Sequence, residues 1–387
     1  MTSKIALLQA NPVVGDIAGN AMMICGLASI AAEEGASFAV TTELAISGYP
    51  PRDLLIQSDF VTECHQVASS LETEIPVLVG TPVPPVNDRS LPGNGVVRAG
   101  DSVREVTRKQ LLPTYDVFDE ARYFEADERP GIARTIAGLD IGVTICEDAW
   151  QHCGATPNDY DSDPIAQIVE WGRQGVVLDA TVNLSASPYH ANKSGIRIAV
   201  ARSAASSLNH PFLLANQVGG NDDLLFDGRS IIAWPDGTAV VAPAWTRGVL
   251  LTDLSDPKGC TWIGDGEVTI LKPGEELKED ENDLLDAIVI GLADYCRKSG
   301  ISKIVLGLSG GIDSALAACV ASAAVGAQNV TGISMPSKHS SQHSIDDAKA
   351  TAEALGLNFI IQPITDLHEA SDMALEDILE GGHPVAG

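Results

Sequence analysis

The segment LDIGVTI, Leu139–Ile145, constrains the fold more than any other stretch, because it is apolar at nearly every position. A strand that is apolar on both faces has to be covered on both faces, as the central strand of a layered α/β protein is. The strand runs directly into CEDAW, so Cys146 is expected where the strand opens into a loop. This peptide alone supports two interpretations equally: a reactive cysteine and a small buried core residue.

Two more ionisable side chains stand where apolar strands end. The strand FAVTT runs into Glu43 and a turn rich in Gly and Pro, and a probable strand ending at Thr107 precedes Lys109. Chemistry in α/β proteins concentrates at such strand ends. In that interpretation Glu43 takes the thiol proton and later activates water, and Cys146 forms a thioester. Lys109 stabilises the thiolate and, with a backbone N–H, the oxyanion. The alternatives are a solvated loop carboxylate and a surface lysine.

Size and charge exclude several classes of function. The 387 residues predict two or three domains, and 24 basic against 52 acidic residues give a net charge of −28. This charge repels nucleic acid and anionic membranes, so neither is expected as a partner. Seven cysteines without CxxC pairs and eight histidines without metal-ligand spacing indicate no disulfide framework and no zinc site. We see no secretory leader and no apolar run long enough for a membrane span, so the cytoplasm is the expected location.

Four segments resemble the glutaminase domain of the glutamine-dependent NAD synthetases, a nitrilase-superfamily domain with Glu-Lys-Cys chemistry. They are TTELAISGYPPRDLL, RKQLLPTYDVFDEARYF, VTICEDAW and VNLSASPYHANKSGIR. The resemblance covers Met1–Asp253 and implies a nitrilase-type αββα sandwich over residues 1–254. By motif match it implies Glu43 as general base, Lys109 as catalytic lysine and Cys146 as nucleophile.

The same resemblance implies contacts to glutamine from Tyr115, Ser187 and Lys193. The chemistry of an amino-acid substrate agrees with this set, since its carboxylate needs a cation and its other polar groups need neutral hydrogen-bonding partners. Glu120 and Glu147 could meet the substrate ammonium, or could be structural loop carboxylates.

After the hairpin predicted around Pro235–Gly237 and a last strand at Gly248–Leu254, periodicity is lost and charges accumulate, so residues 255–282 are predicted to be a linker. A second α/β unit is then expected over residues 283–387. Its strand Lys303–Gly307 leads into LSGGIDSALAACV, a glycine turn feeding a helix. The turn is not a Walker A loop, because no Gly-Lys-Ser/Thr closes it, but it has the glycines, hydroxyls and helix N-terminus of a phosphate cradle.

SGGIDS is similar to the pyrophosphate loop of the ATP-pyrophosphatase family, whose members adenylate a substrate carbonyl or carboxylate. The resemblance implies a Rossmann-like parallel sheet, ATP with Mg²⁺ as the substrate complex, and no prosthetic group. Asp313 is a candidate for the helix cap or for Mg²⁺. Ser340, Ser341 and Ser344, in a second similar loop, could equally be ordinary loop and cap residues. The ATP-binding residues implied are Gly307, Leu308, Ser309, Gly310, Gly311, Ile312, Asp313 and Ser314.

Together these resemblances imply a homo-oligomeric ligase that makes NAD from deamido-NAD, ATP and glutamine. The second domain of that family is longer than the segment present here, so we expect an incomplete synthetase unit. A first alternative is an autonomous amidase whose shortened ATP unit does not ligate. A second is a nucleotide-binding module without catalysis.

Overall fold

The computed structural model describes residues 4–87, 90–102, 104–128, 130–274 and 281–375. The chain divides into two compact units, Met1–Leu284 and Leu285–Gly387. The helices of the first unit are α1 (Ile17–Glu33), α2 (Ser58–Ser69), α3 (Pro164–Arg173) and α4 (Lys193–Leu208). The strands at the start of the chain are β1 (Lys4–Gln9), β2 (Ala36–Val40), β3 (Val77–Val83), β4 (Gly93–Ala99) and β5 (Arg104–Arg108). The middle strands are β6 (Gly131–Ile136), β7 (Leu139–Ile145), β8 (Ala180–Ser185) and β9 (Phe212–Asn216). The remaining strands of this unit are β10 (Val218–Asn221), β11 (Leu224–Asp227), β12 (Ile231–Ala233), β13 (Ala239–Val241), β14 (Gly248–Asp253), β15 (Asp256–Gly264) and β16 (Glu267–Ile270).

Two sheets face each other in the first unit. One has the order β16-β15-β14-β1-β2-β3-β4-β5 and the other β13-β12-β9-β8-β7-β6, while β10 and β11 form a separate ribbon. A shared core fills the space between the sheets, with Leu7, Phe38 and Val143 among its fully buried members. Helices α1 and α2 bury their apolar side chains on the outer face of the first sheet, and α3 and α4 on that of the second. The predicted αββα sandwich is confirmed.

Leu139–Ile145 forms a strand, β7, as its apolar sequence predicts. It is parallel to β8, which is parallel to β9, so the C-terminal ends of three neighbouring strands meet at one edge of the sheet. The predicted hairpin is also present, since β12 and β13 pair as antiparallel strands on either side of the Pro235–Gly237 turn.

The predicted linker needs correction, because β15 and β16 lie inside residues 255–282. β15 pairs with β14, placing Ile263 opposite Val249 and Trp262 opposite Leu250, so Gly248–Asp253 is not the last strand. Trp262 is 4% exposed, and burial against the sheet core outweighs the low strand propensity of the sequence DPKG. Residues 275–280 lie outside the described part of the chain.

The second unit is built on the parallel strands β17 (Ile304–Gly307), β18 (Val330–Ser334) and β19 (Asn358–Ile361), in that order. Its helices are α5 (Glu281–Lys298, which begins in the first unit), α6 (Ile312–Val325), α7 (Gln342–Leu355) and α8 (Thr365–Leu375). Ala318 of α6 and Ala348 of α7 pack with Leu308 in the core of this unit. The alternation of strands and helices gives the expected Rossmann-like parallel sheet. Residues 376–387 lie beyond the described part of the chain.

Among the helices of the described residues, none has both the length and the apolar character that a membrane crossing requires.

Candidate active site

Glu43 lies just beyond β2 and is completely buried. Its Oε1 accepts hydrogen bonds from Lys109 Nζ and from Asn94 Nδ2, both at 2.7 Å, and its Oε2 accepts one from the backbone N–H of Ala186 at 3.1 Å. Gly80 makes room for this bend, because a Cβ at that position would lie 2.3 Å from the carbonyl oxygen of Thr42. Charged and neutral donors thus compensate the burial of the carboxylate.

Lys109 follows β5 and is also fully buried. Its ammonium contacts Glu43 at 2.7 Å and both carboxylate oxygens of Glu120, at 2.9 and 2.7 Å. Burial alone would lower the pKa of Lys109, but the carboxylates of Glu120 and Glu43 outweigh it and raise this pKa well above its usual value. The two carboxylates therefore favour the charged form of Lys109, which lies between them.

Glu120 pairs with Lys109 instead of lining the cavity beside Cys146. Its Oε1 also accepts a hydrogen bond from the Tyr49 hydroxyl at 2.8 Å, and burial raises the pKa of its carboxyl group. Of the two carboxylates considered for the substrate ammonium, only Glu147 lines that cavity; its Oε1 accepts hydrogen bonds from Tyr115 and Tyr160, at 2.7 and 3.1 Å.

Cys146 is the first residue after β7 and starts a short 3₁₀ turn, Cys146–Ala149, with a left-handed φ of 43°. Such a backbone is strained for a residue with a side chain and is held by its surroundings. Burial and the Glu43 carboxylate raise the pKa of the Cys146 thiol well above its usual value, and the opposing effect of Lys109 is smaller. A thiol whose pKa is raised needs a base beside it to become the reactive thiolate, and the roles expected for Glu43 and Lys109 in this step stay predictions.

The Asp148 side chain joins the two chain segments that carry Lys109 and Cys146. Its Oδ1 accepts from the backbone N–H groups of Gln110 and Leu111, at 3.1 and 2.9 Å, and its Oδ2 accepts from the N–H of Ile145 at 3.0 Å. On the other side, Asn183 Nδ2 donates to the carbonyl oxygen of Cys146 at 3.3 Å. These contacts fix the nucleophile turn relative to the lysine.

A cavity of about 220 Å³ opens beside Cys146. Tyr115, Ser187 and Lys193, the three predicted glutamine contacts, line it together with Glu147 and Trp150. Lys193 Nζ lies 5.5 Å from the centroid of the Trp150 ring, and burial lowers the pKa of Lys193. The cavity therefore offers a cation, a carboxylate and hydroxyl groups within reach of a thiol, which is what an amino-acid amide requires.

The predicted phosphate loop joins β17 to α6 and borders a cavity of about 280 Å³, lined by Gly307, Leu308 and Ser309 from this loop. The hydroxyl of Ser314 accepts a hydrogen bond from the backbone N–H of Ser309 at 3.2 Å. The hydroxyl of Ser309 accepts one from the backbone N–H of Gly311 at 3.3 Å. Ser340 and Ser344 line the same cavity, whereas Ser341 caps α7, its Oγ accepting from Ser344 N.

Asp313 does not cap α6, since Gly311 is the N-cap and Asp313 lies exposed in the first turn. No group of three or more His, Cys, Asp or Glu within the described residues has a metal-binding arrangement. One exposed carboxylate beside a phosphate cradle nevertheless suits Mg²⁺, which usually takes one or two protein carboxylates together with nucleotide phosphates.

Comparison with known proteins identifies a family for each of the two units. The family profile for carbon-nitrogen hydrolases matches residues 4–258, and that for NAD synthase matches residues 284–380. The glutamine-dependent NAD(+) synthetase of Synechocystis is 38% identical over 97% of this chain and 67% of its own length. That of Aquifex aeolicus is 34% identical over 95% of this chain and 66% of its own length. The chain belongs to the glutamine-dependent NAD(+) synthetase family.

A solved member of this family, from Acinetobacter baumannii in complex with ADP, superposes with a TM-score of 0.83 at 27% identity. The match covers 98% of this chain and 68% of that chain. A nitrilase-superfamily amidase from Nesterenkonia, 20% identical with a TM-score of 0.54, shares the fold of the first unit. The chain spans about two thirds of the length of the synthetases it matches. Family membership implies ATP as a substrate.

Sequence reasoning missed Asn94 and Asp148 and left the role of Glu120 open. Asn94 lies on β4, far from Glu43 along the chain, and nothing in its local sequence indicates the contact. Asp148 had one usable signal, since the side chain of an aspartate in a turn often accepts hydrogen bonds from nearby backbone N–H groups.

Proposed function

We propose that this chain hydrolyses glutamine at Cys146 and uses the ammonia, with ATP, to amidate deamido-NAD at the loop Gly307–Ser314. The observation that carries this proposal is the contact between Glu43 and Lys109 at 2.7 Å, buried beside a cysteine that opens into a cavity suited to an amino acid. The second unit supplies the phosphate loop that the ligation step needs.

In the first half-reaction, Glu43 accepts the proton of the Cys146 thiol as the sulfur attacks the side-chain amide carbon of glutamine. The oxyanion that forms is stabilised by the Lys109 ammonium and a backbone N–H. The protonated Glu43 then donates its proton to the leaving nitrogen, the C–N bond breaks, and ammonia departs from a thioester. Glu43 next deprotonates a water molecule that attacks the thioester, releasing glutamate and restoring the thiol.

The substrate preference follows from the lining of the cavity beside Cys146. Lys193 pairs with the α-carboxylate, the carboxylate of Glu147 pairs with the α-ammonium, and Tyr115 and Ser187 offer hydrogen bonds. A simple aliphatic amide uses none of these charges, so it is bound less tightly than glutamine.

In the second half-reaction, the nicotinate carboxylate of deamido-NAD attacks the α-phosphorus of ATP and pyrophosphate leaves. Ammonia then attacks the adenylated carboxyl carbon, and AMP departs as the amide forms. The N-terminus of α6 and the hydroxyls of Ser309 and Ser314 are suited to the pyrophosphate, and Asp313 to Mg²⁺. The reaction needs no prosthetic group.

An autonomous amidase is the second candidate, and one observation favours it: every residue of the Glu43, Lys109 and Cys146 site and its cavity belongs to the first unit. Such an amidase would release glutamate without ATP and would form no NAD. A nucleotide-binding module would bind ATP and yield neither product.

The test combines the purified 387-residue chain with glutamine, Mg-ATP and deamido-NAD, and follows glutamate and NAD together. Formation of both, with NAD lost in the Asp313→Ala variant, supports the synthetase. Glutamate alone, abolished by Cys146→Ala, identifies the amidase. If neither glutamate nor NAD forms, both enzyme assignments are overturned.

We also propose a cytoplasmic location and a homo-oligomeric assembly. All seven cysteines are free, which suits a reducing compartment, and closed symmetric assemblies are common among soluble enzymes. Sedimentation velocity would measure the assembly, and a purely monomeric species would refute it.

A further inference from the structure

The loop that supplies Ser187 and Lys193 is held at both ends by one buried polar cluster. At its start, the backbone N–H of Ser187 donates to Asn216 Oδ1 at 3.0 Å. At its end, the hydroxyl of Ser194, next to Lys193, donates to Asp227 Oδ2 at 3.0 Å. Asn216 Nδ2 in turn donates to the carbonyl oxygen of Gly228 at 2.8 Å, so both attachments meet at the end of β11.

Asp227 is the centre of this cluster and is completely buried. Its Oδ1 lies 2.9 Å from Arg197 Nη1 and its Oδ2 lies 3.2 Å from Arg229 Nη1. Arg229 also pairs with Asp283 at 2.6 Å, and its Nη1 lies 3.4 Å from the Ser194 hydroxyl. A buried cluster of this kind contributes little net stability but defines one arrangement of the groups around it.

The cluster also controls the charge around Lys193. Lys193 and Arg197 are one turn apart on α4, and their like charges repel. Burial and Arg197 lower the pKa of Lys193, whereas Cys146, when ionised, Asp227 and Glu147 act in the opposite direction. The groups that act on the pKa of Lys193 are Arg197 on its own helix, Asp227 on β11, and Cys146 and Glu147 on the turn after β7. Three further titratable side chains, Tyr115, Asp116 and His190, line the same cavity.

We propose that Asp227 is a positioning residue for substrate recognition: it holds Ser194 and neutralises Arg197, so that Lys193 stays in place at the cavity wall and binds the α-carboxylate of glutamine. The inference rests on the proposed glutaminase function and extends it to a residue that does not line the cavity. Asp227 acts on the binding of the amino-acid head group and leaves the chemistry at the amide unchanged.

The experiment compares three full-length variants with wild type. Asp227→Asn removes the charge, Ser194→Ala removes one hydrogen bond to the same carboxylate, and Asp101→Asn is the control. Asp101 pairs with Arg98 in the same unit without contacting the loop or the cavity. Each variant is assayed for KM and kcat with glutamine from pH 6.5 to 9.5, and for kcat/KM with propionamide, which lacks both head-group charges. Glutamine affinity is measured separately by calorimetry in a Cys146→Ala background.

We expect Asp227→Asn to raise the KM for glutamine about tenfold or more and Ser194→Ala about threefold, with kcat and propionamide hydrolysis within about twofold of wild type. In Asp227→Asn the alkaline rise in KM should begin at a lower pH, because Lys193 loses its proton sooner. Ser194→Ala keeps the charge and should leave this pH profile unchanged. Calorimetry should show the same loss of affinity.

An unchanged KM and pH profile in folded Asp227→Asn would overturn the inference, as would equal losses with glutamine and propionamide. If Asp227→Asn does not fold, the KM for glutamine and the glutamine affinity of Ser194→Ala test the inference instead, and unchanged values would overturn it. Failure of the proposed function is seen separately, since wild type would then release no glutamate.

Discussion

Glu43 Oε1 lies 2.7 Å from Lys109 Nζ, and both side chains are fully buried. A buried pair of opposite charges costs desolvation free energy that exceeds what most such pairs return in stability. In the proposed reaction this pair instead serves catalysis, because it places a carboxylate and a cation where the Cys146 thiol has to lose its proton.

Replacing Cys146 with alanine should abolish glutamate release, a loss of at least about a thousandfold, because no other group forms the thioester. ATP-dependent NAD formation from added ammonia should remain. The control is Cys64→Ala, which removes a thiol of similar burial on α2. Residual glutamine hydrolysis in Cys146→Ala equal to wild type would contradict the assignment. Coupled glutamate and NAD assays measure both activities.

Glu120→Gln keeps the shape of the side chain but removes its charge. Lys109 would then have Glu43 as its remaining close carboxylate among the described residues, and its ammonium would be less firmly protonated and oriented. We expect kcat for glutamate release to fall about ten- to a hundredfold with KM unchanged, since Glu120 does not line the cavity beside Cys146. Steady-state kinetics test this, with exposed Glu125→Gln as control. A change in KM alone would contradict the prediction.

Stability of the first unit should depend on pH through His152. Its Nδ1 lies 2.8 Å from Asp163 Oδ2, and this hydrogen bond raises the pKa of His152. A raised histidine pKa contributes stability that is fully present below the unfolded pKa of about 6.5 and is lost as pH rises through the folded pKa. His152→Gln should therefore lower the free energy of unfolding by about 0.5 kcal/mol more at pH 5.5 than at pH 9, a small difference because both side chains are partly exposed. Urea unfolding at the two pH values measures it, and equal losses would refute it.

Gly310→Ala should impair the ATP site without affecting the glutaminase. Gly310 has a φ of 83°, and a Cβ there would lie 2.3 Å from the backbone oxygen of Ser344. Gly356→Ala is a matched control, because its φ is 74° but a Cβ would have open space around it. We expect ATP affinity, measured by calorimetry, to fall at least about tenfold in Gly310→Ala and to be retained in Gly356→Ala. Equal affinities in the two variants would contradict a role for the loop geometry.

Local sequence predicts those strands and turns whose own residues indicate burial or a chain reversal. β7 is apolar at nearly every position and lies inside its sheet, between β8 and the edge strand β6, and the Pro235–Gly237 turn joins two short apolar strands. β15 was missed because its tendency to form a strand comes from pairing with β14, and DPKG gives no local indication of that partner.

The candidate site likewise contains residues that local sequence indicates and residues that only tertiary contacts bring in. Their positions after strands made Glu43, Lys109 and Cys146 candidates, and the resemblance of the surrounding motifs to a known family implied their roles. Asn94 on β4, which donates to Glu43 beyond the end of β2, and Asp227, which holds Ser194, act through contacts between distant segments. Only the folded arrangement brings such partners together.

The three backbone contacts of Asp148 have a consequence for thermal motion. Because one carboxylate holds the N–H groups of Gln110, Leu111 and Ile145, we expect the segments carrying Lys109 and Cys146 to move together. The separation between cation and sulfur then varies less than the position of either group within the unit. The distance between the Lys109 ammonium and the Cys146 sulfur, on which the proposed reaction depends, can thus stay nearly constant while the unit moves.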